Sequence, residues 1–412
     1  MKATSTGILK WFYPGIGLKR WVALSAFGVV LLILGTANLR SEEFWLVQFL
    51  DALVVISGII LLILGIKRLM RSFIAAFVPS SKEHELIDIL YQKKQLSRGP
   101  RIVTVGGGTG LSVLLSGLKN YTSNISAIVT VADNGGSSGR LRQQFDVLPP
   151  GDIRNCLVAL ADAPTLMRDL FQFRFDNNSE FAGHSFGNLF LMVMSRLTGD
   201  FEKAIKETSK VLALRGQVIP STLGDVTLVA HFSDGSTVRG EEQIPRARKI
   251  INRVNLDPAS AATPDALKAI KEAQIIVLGP GSLYTSIIPN LLVNDIAAVI
   301  AESEAIKVYV CNVMTQPGET DSYSVSDHVK ALVKHGHTRI LDYCVVNNGE
   351  VPNDVLGRYS KDKSLLVIND RKKVEGLGYR VVEEDFSMIT DGVIRHDPEK
   401  LAKIILSFIE EI

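Results

Sequence analysis

The sequence predicts an α/β chain: a modified Rossmann-like, doubly wound sheet with a β-hairpin insertion, preceded by two transmembrane helices. Three observations carry this prediction. Two long apolar runs fill the N-terminal region, short β-branched runs alternate with helical patterns after residue 100, and two of the short runs feed directly into glycine-rich loops.

Residues 21–39 contain no charge, and at 1.5 Å per residue they roughly span the ~30 Å hydrocarbon core of a bilayer. Residues 44–66 form a second run with one acid, Asp51, close to one end. Lys19 and Arg20 would also suit a signal peptide, but the second run begins almost at once and Gly35 to Asn38 is a weak cleavage signal. Lys2, Lys10, Lys19 and Arg20 precede the pair, and Lys67, Arg68 and Arg71 follow it. The connecting residues 40–43 hold one base and two acids. The positive-inside rule therefore places both ends in the cytoplasm, as a multi-pass protein of the cell membrane, with Trp21 and Trp45 at the interfaces.

The expected organisation is a membrane hairpin over 1–72, a linker over 73–99 and a nucleotide-binding domain over 100–412. Within the linker, Leu86, Ile89, Leu90 and Leu96 have a rough helical spacing, and Arg98-Gly99-Pro100 ends it. The whole chain has 412 residues, 46% hydrophobic and 21% charged, too apolar for disorder. Its formal charge of +2 gives no basic field, so nucleic acid is not an expected partner. Cys156, Cys311 and Cys344 are scattered, which argues against a disulfide scaffold and against a zinc site.

Residues 101–105 form the first short strand and run into Gly106-Gly107-Gly108-Thr109-Gly110. Leu111, Leu114, Leu115 and Leu118 then mark the apolar face of a helix. Glycines let backbone N–H groups approach a phosphate, and the helix that follows turns its positive end toward it. Leu111 occupies the third glycine position of the dinucleotide fingerprint, and no Gly-Lys-Ser/Thr follows, so a Walker loop is excluded. A tight turn with no ligand is the alternative.

The second strand, 127–131, ends in Ala132-Asp133-Asn134-Gly135-Gly136-Ser137-Ser138-Gly139-Arg140. Asp133 falls where an acid would receive a ribose hydroxyl, and the amides, hydroxyls and guanidinium groups around it suit anionic oxygens. In Pro150-Gly151-Asp152-Ile153-Arg154-Asn155, Asp152 caps a helix, or joins Arg154 and Asn155 in binding a metal-phosphate group, or does both. His184-Ser185-Phe186-Gly187-Asn188 opens an apolar helix, with His184 either structural or catalytic. The candidate titratable catalysts are thus Asp133, Asp152 and His184.

Residues 222–244 alternate around an Asp234-Gly235 turn and predict the inserted hairpin. Residues 274–278 form a strand that enters Gly279-Pro280-Gly281-Ser282-Leu283-Tyr284, which puts a ligand between two loop-bearing edges at the switch point of the sheet. Tyr284 stacks on a base or sugar, or belongs to the core. Residues 307–311 predict a strand with Asn312 and Thr315 at its carboxyl end. Strands over 341–346 and 365–368 and a closing helix from Asp397 complete the pattern.

Taken in order, the loops at 106–112, 132–139, 150–155, 186–188 and 279–284 resemble the gluconeogenesis-factor family. That YvcK-like family shares its fold with 2-phospho-L-lactate transferase, CofD. The resemblance covers residues 100–412. It implies a domain that binds a nucleotide diphosphate, with UDP-sugars such as UDP-N-acetylglucosamine as ligands, and a role in cell-wall precursor supply and cell shape during gluconeogenic growth. Carried over by motif, Gly107, Gly108 and Thr109 meet phosphate, and Asp133, Asn134 and Ser137 border the ligand. Tyr359 in Gly-Arg-Tyr and Arg395 in Ile-Arg-His-Asp-Pro match sugar-nucleotide contacts. The residues before Arg101 depart from the typical soluble member.

The full expected binding set adds Gly106, Gly110, Gly135, Gly136, Ser138, Arg154, Asn155, Gly187, Asn188, Gly279, Gly281, Ser282 and Tyr284, with no metal ligand among them. Two functions stay open, a nucleotide-sugar sensor and a phosphotransferase of the CofD kind. The first requires no cofactor, and the second would use Mg²⁺ held by carboxylates. The groups that can be named suit recognition better than proton transfer, which favours the sensor. Hydride transfer has little support without the third glycine. A homo-oligomer is compatible with either function.

Overall fold

Valine, isoleucine and leucine dominate the short runs after residue 100 because both faces of the sheet they build are covered. The strands are β1 (Ile102–Gly106), β2 (Ile125–Val129), β3 (Gln217–Pro220), β4 (Thr227–Phe232), β5 (Thr237–Arg239), β6 (Ile251–Asp257), β7 (Ile275–Leu278), β8 (Ile306–Val310), β9 (Tyr343–Asn347), β10 (Arg380–Glu384), β11 (Ser387–Thr390) and β12 (Val393–His396). Seven of them form one parallel sheet in the order β10-β9-β8-β7-β1-β2-β3. Val103 and Val105 of β1 pack with Ile276 and Leu278 of β7 on one face, while Ile102, Ile275 and Val277 pack on the other, the period-two alternation of a sheet buried on both sides.

These elements come from a computed structural model that describes residues 18–38, 45–77, 91–176, 180–361, 363–390 and 392–410. The chain divides into two compact units, Met1–Lys94 and Gln95–Ile412.

In the first unit, α1 (Leu18–Asn38) and α2 (Trp45–Phe77) contain two segments long and apolar enough to cross a membrane, Lys19–Ala37 and Trp45–Ser72. The second helix continues past residue 66, the expected end of its apolar run, through Lys67, Arg68 and Arg71, because lysine and arginine are good helix formers. Arg68 lies over the Trp21 ring, 5.1 Å from its centroid. The helices meet at glycines: a β-carbon on Gly28 would lie 2.8 Å from the Gly58 carbonyl oxygen, and one on Gly58 would lie 2.9 Å from that of Gly28. The connection at 40–43, the bases Lys2 and Lys10, and linker residues 78–90 with Lys82 lie outside the described residues. Of the expected linker helix, residues 91–96 are helical.

In the second unit, helices alternate with strands as the sequence predicts. The glycine loop opens α3 (Gly108–Leu118), whose Leu111, Leu114, Leu115 and Leu118 are fully buried. The second-strand loop opens α4 (Gly136–Phe145), and the Pro-Gly-Asp segment opens α5 (Gly151–Leu160). Then come α6 (Thr165–Gln172) and α7 (Phe186–Thr198). The helix Pro398–Glu410 closes the chain, with Asp397 Oδ1 accepting the N–H groups of Glu399 and Lys400 at 2.9 and 3.0 Å.

Two expectations need correction. The inserted hairpin is part of a three-stranded antiparallel sheet, β5-β4-β6, because β6 pairs along β4 from Asp257 to Ile251. Residues 365–368 form no strand of the main sheet. Leu366 and Ile368 make only isolated bridges, to Met314 and Ser324, and Leu365, Leu366 and Ile368 are exposed, so the apolar run has no second face to cover.

Candidate functional site

The chain leaves β1 toward β2 and β3 on one side and returns through β7 to β8, β9 and β10 on the other, so the order reverses between β1 and β7. Both glycine loops emerge at the carboxyl ends of those two adjacent strands, the place where open α/β sheets bind ligands. A cavity of about 440 Å³ opens there. One wall is Gly107, Gly108, Thr109 and Gly110, and beside it stand Gly281, Ser282 and Ser286. Tyr359 and Arg395 also line the cavity.

The loops are locked against each other. Asn312 Nδ2 donates to the Gly281 carbonyl at 2.8 Å and its Oδ1 accepts Gly281 N–H at 3.3 Å, while Asn290 Nδ2 donates to the Gly106 carbonyl at 3.1 Å. Gln316 Nε2 donates to Ser282 Oγ at 2.6 Å. Tyr359 Oη accepts the Ile394 N–H at 2.8 Å, which ties its helix to the strand that carries Arg395. Arg395 itself is exposed and makes no ion pair among the described residues.

Asp152 does not cap its own helix. It lies in the first turn of α5, and its carboxylate accepts the backbone N–H of Gly108 at the start of α3. Burial, then the neighbouring Asp133, push its carboxyl up to about 7. Gly107 is a glycine for this reason, since a β-carbon there would lie 2.3 Å from Asp152 Oδ2. A further acid, Glu241, reaches the same region from the loop after β5. Burial and then Asp133 hold its carboxyl well above the usual range, and the two acids share a hydrogen bond. Glu319, pushed up to about 7 by burial, accepts from Thr285 Oγ1 at 3.2 Å. Among the described residues no group of three or more His, Cys, Asp or Glu side chains is placed to hold a metal ion.

Many residues expected to border the ligand instead shape its surroundings. Asp133 Oδ1 accepts Gly135 N–H at 2.8 Å, Ser138 Oγ accepts Gly151 N–H at 3.1 Å, and Asn134 Oδ1 accepts Glu242 N–H at 3.1 Å. Ser137 Oγ bonds both His184 Nδ1, at 2.9 Å, and Asn188 Nδ2, at 3.0 Å. His184 is 6% exposed, burial lowers its pKa, and its ring is held by Ser137 outside the cavity lining. Arg154 is also buried and donates to Ser185 and Asn155, and Gly187 lets it pass, since a β-carbon there would press on its Cδ at 2.8 Å. Gly136 and Gly279 serve positive φ of 46° and 79°. Asp133, Asn134, Gly135, Gly136, Ser137, Ser138, Arg154, Asn155, Gly187 and Asn188 therefore stand outside the cavity, as do Gly106 and Gly279.

Tyr284 belongs to the core. It is 3% exposed and its hydroxyl bonds Tyr323 at 2.9 Å, which removes it from the ligand set. The cavity gains Gln316 and His396, which sequence reasoning missed. Burial pushes His396 down to about 4, so beside Arg395 stands a neutral ring stacked on Phe386. A histidine next to the Arg395 motif was the one available signal.

The family described as 2-phospho-L-lactate transferase CofD matches residues 102–387. A protein named as a candidate gluconeogenesis factor in Nostoc sp. is 50% identical over 421 residues, which cover 97% of this chain and 92% of that one. The gluconeogenesis factor of Bacillus subtilis is 46% identical over 317 residues, 77% of this chain and 100% of its own. A crystal structure of a Bacillus halodurans protein, 48% identical, matches 75% of this chain and 100% of its own with a TM-score of 0.74. The residues before Arg101 thus have a counterpart in Nostoc, while the Bacillus relatives align with the rest.

Proposed function

The chain belongs to the CofD family, within its gluconeogenesis-factor group, and from that premise we propose that the switch-point cavity binds a UDP-sugar of the UDP-N-acetylglucosamine class as the sensing element of a membrane-tethered regulator of cell-wall precursor supply. The observation that carries this reading is the set of residues that line the cavity. Its lining combines the glycine loop at the start of α3, suited to a diphosphate, with Tyr359 and with Arg395, which makes no ion pair among the described residues and suits the sugar nucleotide. The two apolar helices hold the domain at the cytoplasmic face of the cell membrane, the orientation favoured by the flanking bases. Calorimetric titration of the fragment from Arg98 onward with UDP-N-acetylglucosamine tests the reading. Saturable binding is expected, and no heat with any uridine nucleotide would overturn it.

A transferase is the second reading, favoured by Asp152. With its carboxyl near 7 beside the glycine loop, it is poised to exchange a proton at neutral pH. The family is named for a transferase. Mg²⁺ would then be supplied with the nucleotide. Incubating protein, Mg²⁺ and UDP-sugar and resolving the nucleotides by chromatography separates the two. No turnover is expected, and steady release of UDP or UMP that disappears in Asp152→Asn would establish the transferase.

A further inference from the structure

A second cavity, of about 520 Å³, lies on the other flank of α3, between that helix, α5 and α6. It shares Thr109 and Val113 with the first cavity, so the opening turns of one helix wall both. Two cations line it, Lys119 and Arg168.

Neither cation is neutralised. Lys119 Nζ donates to the Ala161 carbonyl at 2.7 Å and has no carboxylate partner within ion-pair distance among the described residues. Asp162, the acid nearest it in effect, is engaged by Arg215 at 2.8 Å. Burial and then the Arg168 charge lower the Lys119 pKa. Arg168 Nη2 donates to Thr165 Oγ1 at 3.1 Å, its buried Nε has no partner, and it makes no ion pair among the described residues. The one acid on the wall, Asp169, pairs with neither cation.

Two like charges facing one space, one of them partly desolvated, repel each other unless an anion lies between them. The remaining walls suit such an occupant. Ser116 donates its hydroxyl proton to the Val113 carbonyl at 2.7 Å, which leaves its oxygen lone pairs to accept, while Ser112 is held by the Gly108 carbonyl at 3.0 Å and by the Cys156 thiol. Val113, Val158 and Ala159 supply an apolar floor.

We propose that this cavity is a second binding site, for a small organic anion that places a carboxylate or phosphate between Lys119 and Arg168 and a short apolar portion over Val158. It stands independently of what occupies the first cavity. Because Thr109 and Val113 are common walls, an anion here would sit on the helix whose N-terminus faces the other ligand.

The test uses the full-length protein in detergent. Line broadening of the ³¹P resonance of inorganic phosphate, and saturation transfer to succinate, report binding of the two anion types without any assumption about turnover. Wild type should bind at least one of them at millimolar concentration. Arg168→Gln and Lys119→Gln should each weaken that binding about tenfold, the loss expected for one charge-assisted hydrogen bond. Arg395→Ala, which alters only the first cavity, should leave it unchanged. Binding of phosphate but not succinate assigns a phosphate ligand, and the reverse assigns a carboxylate. No binding of either anion, or binding that Arg395→Ala removes and Arg168→Gln does not, would overturn the proposal.

Discussion

The carboxylate of Asp152 lies against Gly107: a β-carbon at that glycine would be 2.3 Å from Oδ2, while the next residue, Gly108, donates its backbone N–H to the same carboxylate. The positive end of the glycine helix is thus shared between the open cavity and an internal acid from α5.

Gly107→Ala should therefore destabilise the fold by about 1–3 kcal/mol, the cost of forcing one extra methyl into a filled space. Gly107 itself is extended, so the cost is one of contact rather than of backbone conformation. In an Asp152→Ala background the same substitution should cost much less. Denaturant titration of the four proteins of the cycle measures the coupling, and additive effects would show that the two residues do not interact.

Asp152 also makes stability depend on pH. Its carboxyl ionises near pH 7 in the folded chain and near 3.8 in the unfolded one, so between these values the folded chain holds a proton that the unfolded chain has lost. The stabilisation is fully present below the unfolded value and disappears as pH rises through about 7. Asp152→Asn should flatten this decline by up to about 1.4 kcal/mol per pH unit, the linkage limit for one group. Glu319, with the same sign and also near 7, should keep a residual slope. Unfolding free energies at pH 5 and pH 8 check it, and equal slopes for wild type and variant would contradict it.

Arg395 is exposed and has no ion-pair partner among the described residues, so its removal should leave thermal stability of the ligand-free domain nearly unchanged. Arg395→Ala should weaken UDP-sugar binding by roughly 1.5–3 kcal/mol, the range for a charge-assisted hydrogen bond. Calorimetry together with a melting curve separates this effect from unfolding.

The charge asymmetry around α1 and α2 predicts that an impermeant thiol reagent on intact cells labels Ser41→Cys and spares Lys82→Cys. Cys156, Cys311 and Cys344 are all buried and should be silent in the native chain. Labelling of Lys82→Cys would reverse the orientation.

The glycine-loop half of the cavity was legible in the sequence because a close backbone approach demands glycine, and Gly107, Gly108, Thr109, Gly110 and Gly281 meet around one cavity. Tyr359 and Arg395 were legible only through family resemblance, since an exposed arginine on a two-stranded ribbon carries no periodic signal. Glu241 was not legible at all. It reaches Asp133 from the inserted sheet, and neighbouring Glu242 and Asn134 bond across 108 residues of sequence, a proximity that only the assembled fold creates. Tyr284 misled because an aromatic in a glycine loop suits a stacking platform and a core equally well. The core won where Tyr323 offered its hydroxyl.

The adjacency of β1 and β7 also sets a timetable for synthesis. Gln274, just before β7, accepts the backbone N–H of Arg101, just before β1, across 173 residues of chain. At about 5–20 residues per second, β1 waits roughly ten to thirty seconds on the ribosome before the strand that completes its edge is made. Through that interval it presents an apolar row of unpaired backbone groups, the kind of edge that recruits foreign strands. The N-terminal helices are translated before any of this, and under the proposed membrane tether the half-built sheet would wait at a membrane surface, held apart from the other nascent chains of a polysome.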